Sequence, residues 1–162
     1  YLEEPTHSLG PDNMLEVRKS TSIPIAAGER IYTRWGYKPF LENHSVQVIQ
    51  PDICLTGGIT EAKKICDMAN AYDCAVQIHV CGSPISKAAA LQIEAVIPNF
   101  IIHEHHQRAL NPLSRETCLY DYQPENGYYE VPDKPGIGQE LTSETIEKCE
   151  IVTIDQYRPY RR

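Results

Sequence analysis

Long apolar runs, an excess of basic charge and paired cysteine motifs are all missing from this sequence of 162 residues. None of its apolar runs approaches the roughly 20 residues that a membrane-spanning helix requires, so no membrane partner is expected. Acidic residues outnumber basic residues by 22 to 15, and the net charge is −7. That charge argues against nucleic acid as the main partner. The length is sufficient for one domain with a hydrophobic core.

The six cysteines form no CxxC motif. Four of them lie in or beside apolar runs or predicted helices, which favours free thiols in a reducing compartment such as the cytoplasm. A disulfide framework or a cysteine zinc site is the alternative interpretation. The cysteines are Cys54, Cys66, Cys74, Cys81, Cys118 and Cys149.

Short apolar segments alternate along the chain with segments of helical pattern. The clearest helix is residues 60–72, where apolar residues recur at i, i+3, i+4 and i+7. Apolar strands that alternate with helices predict an α/β fold with a parallel sheet covered by helices. The predicted strands are 1–5, 23–27, 46–50, 75–80 and 100–102, and the predicted helices are 13–20, 37–43, 60–72, 86–97 and one starting at Thr142 or Ser143.

Five apolar segments each carry a titratable group at or near their carboxyl-terminal end. Successive groups are 23 to 27 residues apart. A strand, a loop, a helix and a return loop take about 25 to 30 residues, the size of one βα unit. A regular step of that size places all five groups at one edge of a parallel sheet. They are Glu3, Glu29, Asp52, His79 and Glu104.

Glu3 and Glu29 are carboxylates at the ends of adjacent predicted strands. Hard divalent cations such as Mg²⁺ take oxygen ligands, and they accept water and substrate in the remaining positions. The pair therefore predicts a Mg²⁺ site, with two ordinary solvated acids as the alternative.

Asp52 and His79 are one βα unit apart, on neighbouring predicted strands. A carboxylate bonded to one imidazole nitrogen fixes the tautomer and raises the basicity of the other nitrogen. The pair predicts a general base, with a histidine satisfied within the core as the alternative.

Glu104 lies in HEHH at residues 103–106. This spacing is not HExxH, so a zinc-protease site is excluded. A zinc site on the histidines and a polar strand edge are the alternatives.

Two runs of sequence stand out, AAGERIYTRWGYKPFLE at residues 26–42 and IQPDICLTGGITEAKKICDMANAYD at residues 49–73. Both resemble the sugar-acid dehydratases of the enolase superfamily. Within that superfamily they are most similar to the mandelate racemase-like group, the D-galactonate dehydratases especially. YLEEP at residues 1–5 and KPGIGQEL at residues 134–141 agree with the family as well. The resemblance implies a modified (β/α)₇β barrel, with strands 4 to 8 in residues 1–106. Residues 107–162 would be a C-terminal segment that packs on the barrel or on a capping domain.

The resemblance also implies a role for each of the five groups. Glu3 and Glu29 match the second and third Mg²⁺ ligands, and His79 matches the general base. Asp52 matches the dyad partner of that base, and Glu104 matches an acid that contacts the substrate and stabilises the intermediate. The first ligand, an aspartate, and a histidine general acid would lie upstream of this chain. We therefore expect an incomplete fragment that is inactive by itself.

The implied reaction is the Mg²⁺-dependent dehydration of an aldonate, such as galactonate, to a 2-keto-3-deoxy acid. It proceeds through α-proton removal by His79 and an enediolate. The sequence reads VCGSPI at residues 80–85, where galactonate dehydratases typically have CPLGPI, so the sugar is left open. A racemase or epimerase of the same superfamily and a non-catalytic binding half-barrel are the alternative functions. Family members are often oligomers, which implies a homo-oligomer for the full-length protein.

Overall fold

The computed structural model describes residues 1–153, apart from the side chain of Arg108, so the end of the predicted segment 107–162 lies outside the described residues. Among these residues, no helix combines the length and the hydrophobicity that crossing a membrane requires. The strands are β1 (Leu2–Glu3), β2 (Ile25–Ala27), β3 (Val48–Ile49) and β4 (Ala75–Val76). The helices are α1 (Pro11–Lys19), α2 (Thr33–Glu42), α3 (Ile53–Thr56), α4 (Ile59–Asn70), α5 (Pro84–Glu94), α6 (Pro112–Glu116) and α7 (Ser143–Lys148), and a 3₁₀ turn spans Gln107–Leu110.

The sheet is parallel, and its strands follow the chain in the order β1-β2-β3-β4. Leu2 is aligned with Ile25, Ala26 with Val48, and Val48 with Ala75. Because parallel neighbours cannot be joined by a tight turn, each connection crosses over the sheet and carries one or two helices. The predicted α/β fold with a parallel sheet is confirmed.

The fifth predicted strand, residues 100–102, forms only one parallel bridge, between Val76 and Phe100. Val76 donates its N–H to the carbonyl of Asn99 at 2.8 Å, and Ile101 donates to the carbonyl of Val76 at 3.1 Å. The prediction of a full strand was wrong. Within the described residues, this segment has β4 on one side and no strand on the other, so a single neighbour holds it extended. The segment still lies parallel to β4, in the position of the next strand of the sheet.

The core lies between the sheet and its helices, and α4 supplies much of it. Ala62, Ile65, Cys66 and Ala69 are fully buried, as their helical spacing predicts. Helix α5 is buried almost all round, as its alanine and leucine content predicts, with nine of its 11 residues buried. All six cysteines are free. Burial raises the pKa of Cys66 and Cys74 to about 12, which keeps both thiols protonated and unreactive.

Three short elements are not evident from the sequence: α3, α6 and the 3₁₀ turn. Each has four or five residues, too few to produce a helical period. Asp52 and Asn111 cap α3 and α6, each side chain accepting a backbone N–H two residues further on. Thr142 caps α7 by accepting from the N–H of Thr145, so the predicted helix start there is confirmed.

The sheet curls so strongly that side chains of non-neighbouring strands meet across its concave face. Tyr1 donates its hydroxyl hydrogen to the side-chain oxygen of Gln77, which lies just after β4. The side-chain nitrogen of Gln50, just after β3, donates to Glu3 of β1 at 3.0 Å. Such curvature is expected of strands that form part of a barrel wall.

The described part of the C-terminal segment packs on α5. Lys87 donates from its Nζ to the carbonyl of Tyr122 at 2.5 Å, and Gln92 donates from Nε2 to the carbonyl of Pro132 at 2.8 Å. Lys87 is buried, and burial lowers the pKa of its ammonium group. Residues 107–153 thus cover the outer helix next to the fifth segment, while the domain boundary at residue 106 stays a prediction.

Candidate active site at the carboxyl-terminal edge of the sheet

The five predicted groups lie at one edge of the sheet because each comes at or just after the carboxyl end of a parallel strand or of the fifth extended segment. Glu3 ends β1, Glu29 and Asp52 follow β2 and β3, and His79 follows β4. Glu104 follows the fifth segment. The carboxylates of Glu104 and Glu29 are close enough to His79 to raise its pKa by their charge. The predicted groups therefore lie near one another at one edge of the sheet.

Asp52 and His79 form a direct hydrogen bond, with 2.7 Å between Oδ2 and Nδ1. The backbone sets this distance, because the two residues form a parallel bridge and His79 donates its N–H to the carbonyl of Pro51 at 3.1 Å. The other oxygen of Asp52 accepts the N–H of Cys54 at 2.7 Å. Asp52 is thus anchored through both oxygens, and it favours the tautomer of His79 with its proton on Nδ1.

The hydrogen bond that His79 donates to Asp52 is the largest cause of a raised pKa at His79, and burial of the ring opposes it. The nearby carboxylates of Glu104 and Glu29 raise this pKa further. The Nε2 atom of His79 lies 3.1 Å from Oε2 of Glu29. The nitrogen that would accept a proton therefore faces one of the two predicted cation ligands.

Glu4 is a third carboxylate at this edge, next in the chain to Glu3. Burial is the largest cause of a raised pKa at Glu4, and the charges of Glu29 and Glu3 add to it. Arg30 offsets part of this repulsion, since its Nε lies 3.9 Å from Glu4 and 3.1 Å from Glu29. One side-chain oxygen of Glu4 is buried without a hydrogen-bond partner. The edge therefore carries more negative charge than its neighbours compensate.

This charge imbalance fits a divalent cation at Glu3 and Glu29. Mg²⁺ is usually held by one or two carboxylates, with water and substrate completing its coordination. Within residues 1–153 no group of three or more His, Cys, Asp and Glu side chains is arranged to hold a metal ion. Glu3 and Glu29 are carboxylates of the kind that Mg²⁺ takes as ligands.

Glu104 is fixed by the segment that follows β4. Its Oε2 accepts the backbone N–H of Val80 at 2.8 Å, directly after His79. Beside it is a cavity of about 20 Å³, lined also by Lys87 and His105, with room for one water molecule. Glu104 therefore stands next to the predicted base, where it can contact a ligand.

The described partners of His103 and His105, two histidines of HEHH, lie outside the cluster of five groups. His103 is paired with the buried carboxylate of Glu94, 2.7 Å between Nδ1 and Oε2. His105 shares a hydrogen bond with the hydroxyl of Tyr129. Glu104, which bonds to Val80, thus has a different partner from either histidine.

Gln50 and Glu4 belong to the site, although the sequence patterns do not single them out. A weak signal exists for Gln50, which precedes Asp52 by two residues and so shares its face of the extended segment. Glu4 has none, because strict alternation turns it away from Glu3. Its backbone instead adopts a φ of +39°, which lies outside the extended conformation.

The chain is similar to known proteins over most of its length. The chain is 37% identical to a D-xylonate dehydratase of Haloferax volcanii over 91% of this chain and 35% of that protein. It is 36% identical to a D-galactonate dehydratase of Variovorax paradoxus over 90% of this chain and 40% of that protein. A crystal structure of an enolase superfamily member from Salmonella typhimurium superposes with a TM-score of 0.91 at 61% identity, covering 94% of this chain and 39% of that one.

The chain spans between a third and two fifths of the length of these relatives. The predicted resemblance to the enolase superfamily is confirmed, and so is the barrel-type α/β fold that it implies. Residues 1–145 match the family model described as enolase C-terminal domain-like, and the chain belongs to that family.

Proposed function

We propose that the protein containing this chain dehydrates a sugar acid, an aldonate such as galactonate or a related acid, to a 2-keto-3-deoxy acid with the help of Mg²⁺. The observation that carries the proposal is the Asp52–His79 hydrogen bond, with Nε2 of His79 turned to Glu29. It places a base beside a carboxylate suited to a cation. The names of the relatives, D-xylonate and D-galactonate dehydratase, support this reaction class.

Each residue contributes one part of the chemistry. Glu3 and Glu29 would hold Mg²⁺, which when bound binds the substrate carboxylate and stabilises the charge that develops as the α-proton leaves. Nε2 of His79 accepts that proton as the C–H bond breaks. Asp52 keeps the other ring proton on Nδ1 and stabilises the imidazolium that results. Glu104 contacts the substrate next to His79.

The second half of the reaction removes the β-hydroxyl group. The electron pair from the broken C–H bond forms the C–C double bond, the C–O bond breaks, and the hydroxyl leaves as water after receiving a proton. The resulting enol then gains a proton at the β-carbon, loses the proton of its α-hydroxyl group and becomes the 2-keto-3-deoxy acid. We place the general acid for the hydroxyl group, and the first cation ligand, in segments beyond this chain, because the relatives are more than twice as long.

We predict that residues 1–162 alone do not turn over any sugar acid. Two proposed cation ligands, Glu3 and Glu29, and one proposed base lie at the edge, but the described residues contain no cluster of three metal-binding side chains. Steady-state assays of this chain by itself, with Mg²⁺ and a panel of aldonic acids, should give no product above background. Measurable turnover by this chain alone would contradict the prediction.

The reaction itself is tested with the protein expressed from its natural reading frame. Aldonic acids that differ in the configuration of each carbon are incubated with Mg²⁺, and 2-keto acids are detected as semicarbazones. We expect at least one acid to yield a 2-keto-3-deoxy product. Exchange of the α-hydrogen with solvent deuterium and no dehydration would favour a racemase or epimerase, whereas no reaction with any acid would contradict the proposal.

A further inference from the structure

Gln50 precedes Asp52 by two residues and reaches across the concave face of the sheet. Gln50 directly follows β3, and it is 2% exposed. Its Nε2 donates a hydrogen bond to Oε2 of Glu3 at 3.0 Å. Because β2 lies between β1 and β3, this contact spans a whole strand.

Gly28 allows the backbone of Gln50 to lie where this contact is possible. Gly28 has a φ of +156°, and a Cβ added there would lie 2.6 Å from the backbone nitrogen of Gln50. That nitrogen donates to the carbonyl of Ala27 at 3.0 Å. The backbone at residue 50 is therefore held against β2, and its side chain is directed to Glu3.

A neutral amide is a suitable partner for a carboxylate that binds a cation. It fixes the orientation of Glu3 but leaves its negative charge in place, whereas a lysine or arginine would compensate that charge. An ionised carboxylate offers about four lone-pair positions, so one amide donor leaves others for a metal ion. The contact of Gln50 with Glu3 thus restrains the carboxylate without blocking it.

We propose that Gln50 is a positioning residue that orients Glu3 toward a divalent cation shared with Glu29. This inference rests on the proposed function, which supplies the cation. A glutamine present only to satisfy its own buried amide would have no effect on cation affinity. Groups that hydrogen-bond to metal ligands typically change metal affinity by about 10-fold to 100-fold when they are removed.

Gln77 provides a matched control within the same sheet. It is 5% exposed, and its side-chain oxygen accepts a hydrogen bond from Tyr1, so it also links the β1 segment to a distant strand. Tyr1 is not a proposed cation ligand. Methionine is similar to glutamine in length but lacks the amide, so Gln50→Met and Gln77→Met each remove one cross-sheet hydrogen bond at similar burial.

The test is a titration with Mn²⁺, followed by electron paramagnetic resonance, on the protein expressed from its natural reading frame. We expect Gln50→Met to weaken Mn²⁺ binding by about 10-fold to 100-fold, and Gln77→Met by less than about twofold. Thermal unfolding should show similar destabilisation in both variants. If Gln50→Met does not fold, Gln50→Asn keeps the amide but is too short to reach Glu3, and it should weaken Mn²⁺ binding in the same way.

The outcomes separate this inference from the proposal on which it rests. Wild-type Mn²⁺ affinity in the Gln50 variant, or equal weakening in the Gln50 and Gln77 variants, would overturn the positioning role and leave the proposed function standing. A wild-type protein that does not bind Mn²⁺ would overturn the proposed function, and the role of Gln50 with it.

Discussion

Replacing His79 with asparagine is expected to lower kcat of the protein by roughly 10²-fold to 10⁴-fold, the usual contribution of a general base. The Nε2 atom that faces Glu29 disappears, and asparagine has no basic nitrogen to accept the α-proton. Its short amide can still donate to Asp52 in place of Nδ1, so the buried carboxylate keeps a partner. The loss should therefore come from the chemistry rather than from the fold.

The matched control is His44→Asn. His44 is exposed and has a φ of +54°, a conformation that asparagine tolerates better than most residues, so this variant should keep wild-type kcat. Exchange of the α-hydrogen with solvent, followed by proton NMR in deuterium oxide, gives a readout that does not depend on dehydration. If His79→Asn exchanges this hydrogen at the wild-type rate, His79 is not the base.

Replacing Asp52 with asparagine should lower kcat by about 10⁴-fold, the effect of the equivalent change in serine proteases, and leave stability almost unchanged. The asparagine would keep a side-chain oxygen for the N–H of Cys54, because asparagine caps helices as well as aspartate does. Its amide nitrogen, however, would face Nδ1 of His79 as a donor. That arrangement moves the ring proton to Nε2, the nitrogen that must be free to act as a base.

Asp52→Ala separates the two functions of this side chain. Alanine removes the cap of α3 as well as the partner of His79. We therefore expect Asp52→Ala to lower the free energy of unfolding by about 1 kcal/mol, whereas Asp52→Asn should leave it almost unchanged. Chemical denaturation measures the stability of both variants, and steady-state assays measure kcat. An Asp52→Asn variant that retains more than about a tenth of wild-type kcat would show that the tautomer of His79 does not control the reaction.

Much of the fold follows from patterns that are local in the sequence. The helical spacing of α4 and the apolar segments before Glu29, Asp52 and His79 predict which faces are buried. The regular step between the five groups then predicts that they share an edge, because parallel strands present their carboxyl ends on one side. The buried faces depend only on residues close together in the chain, and the shared edge depends only on the repeat length of one βα unit.

The contacts that complete the site depend on the curvature of the sheet, which no local pattern reports. Gln50 meets Glu3 only because β1 and β3 approach each other across the concave face. The buried pair of Glu94 and His103 likewise depends on how the end of α5 packs against the fifth segment. Glu4 lies at the edge through a backbone φ of +39° that its residue type does not favour.

A crystal structure of the protein grown with Mg²⁺ and an unreactive aldonate analogue would test the shared cation site most directly. The predicted result is one ion bound by Glu3 and Glu29, with metal–oxygen distances of about 2.0 to 2.1 Å. His79 should release Glu29 and direct Nε2 to the α-carbon of the analogue. An ion bound elsewhere, or an imidazole turned away from the analogue while Asp52 still holds Nδ1, would contradict the proposed site.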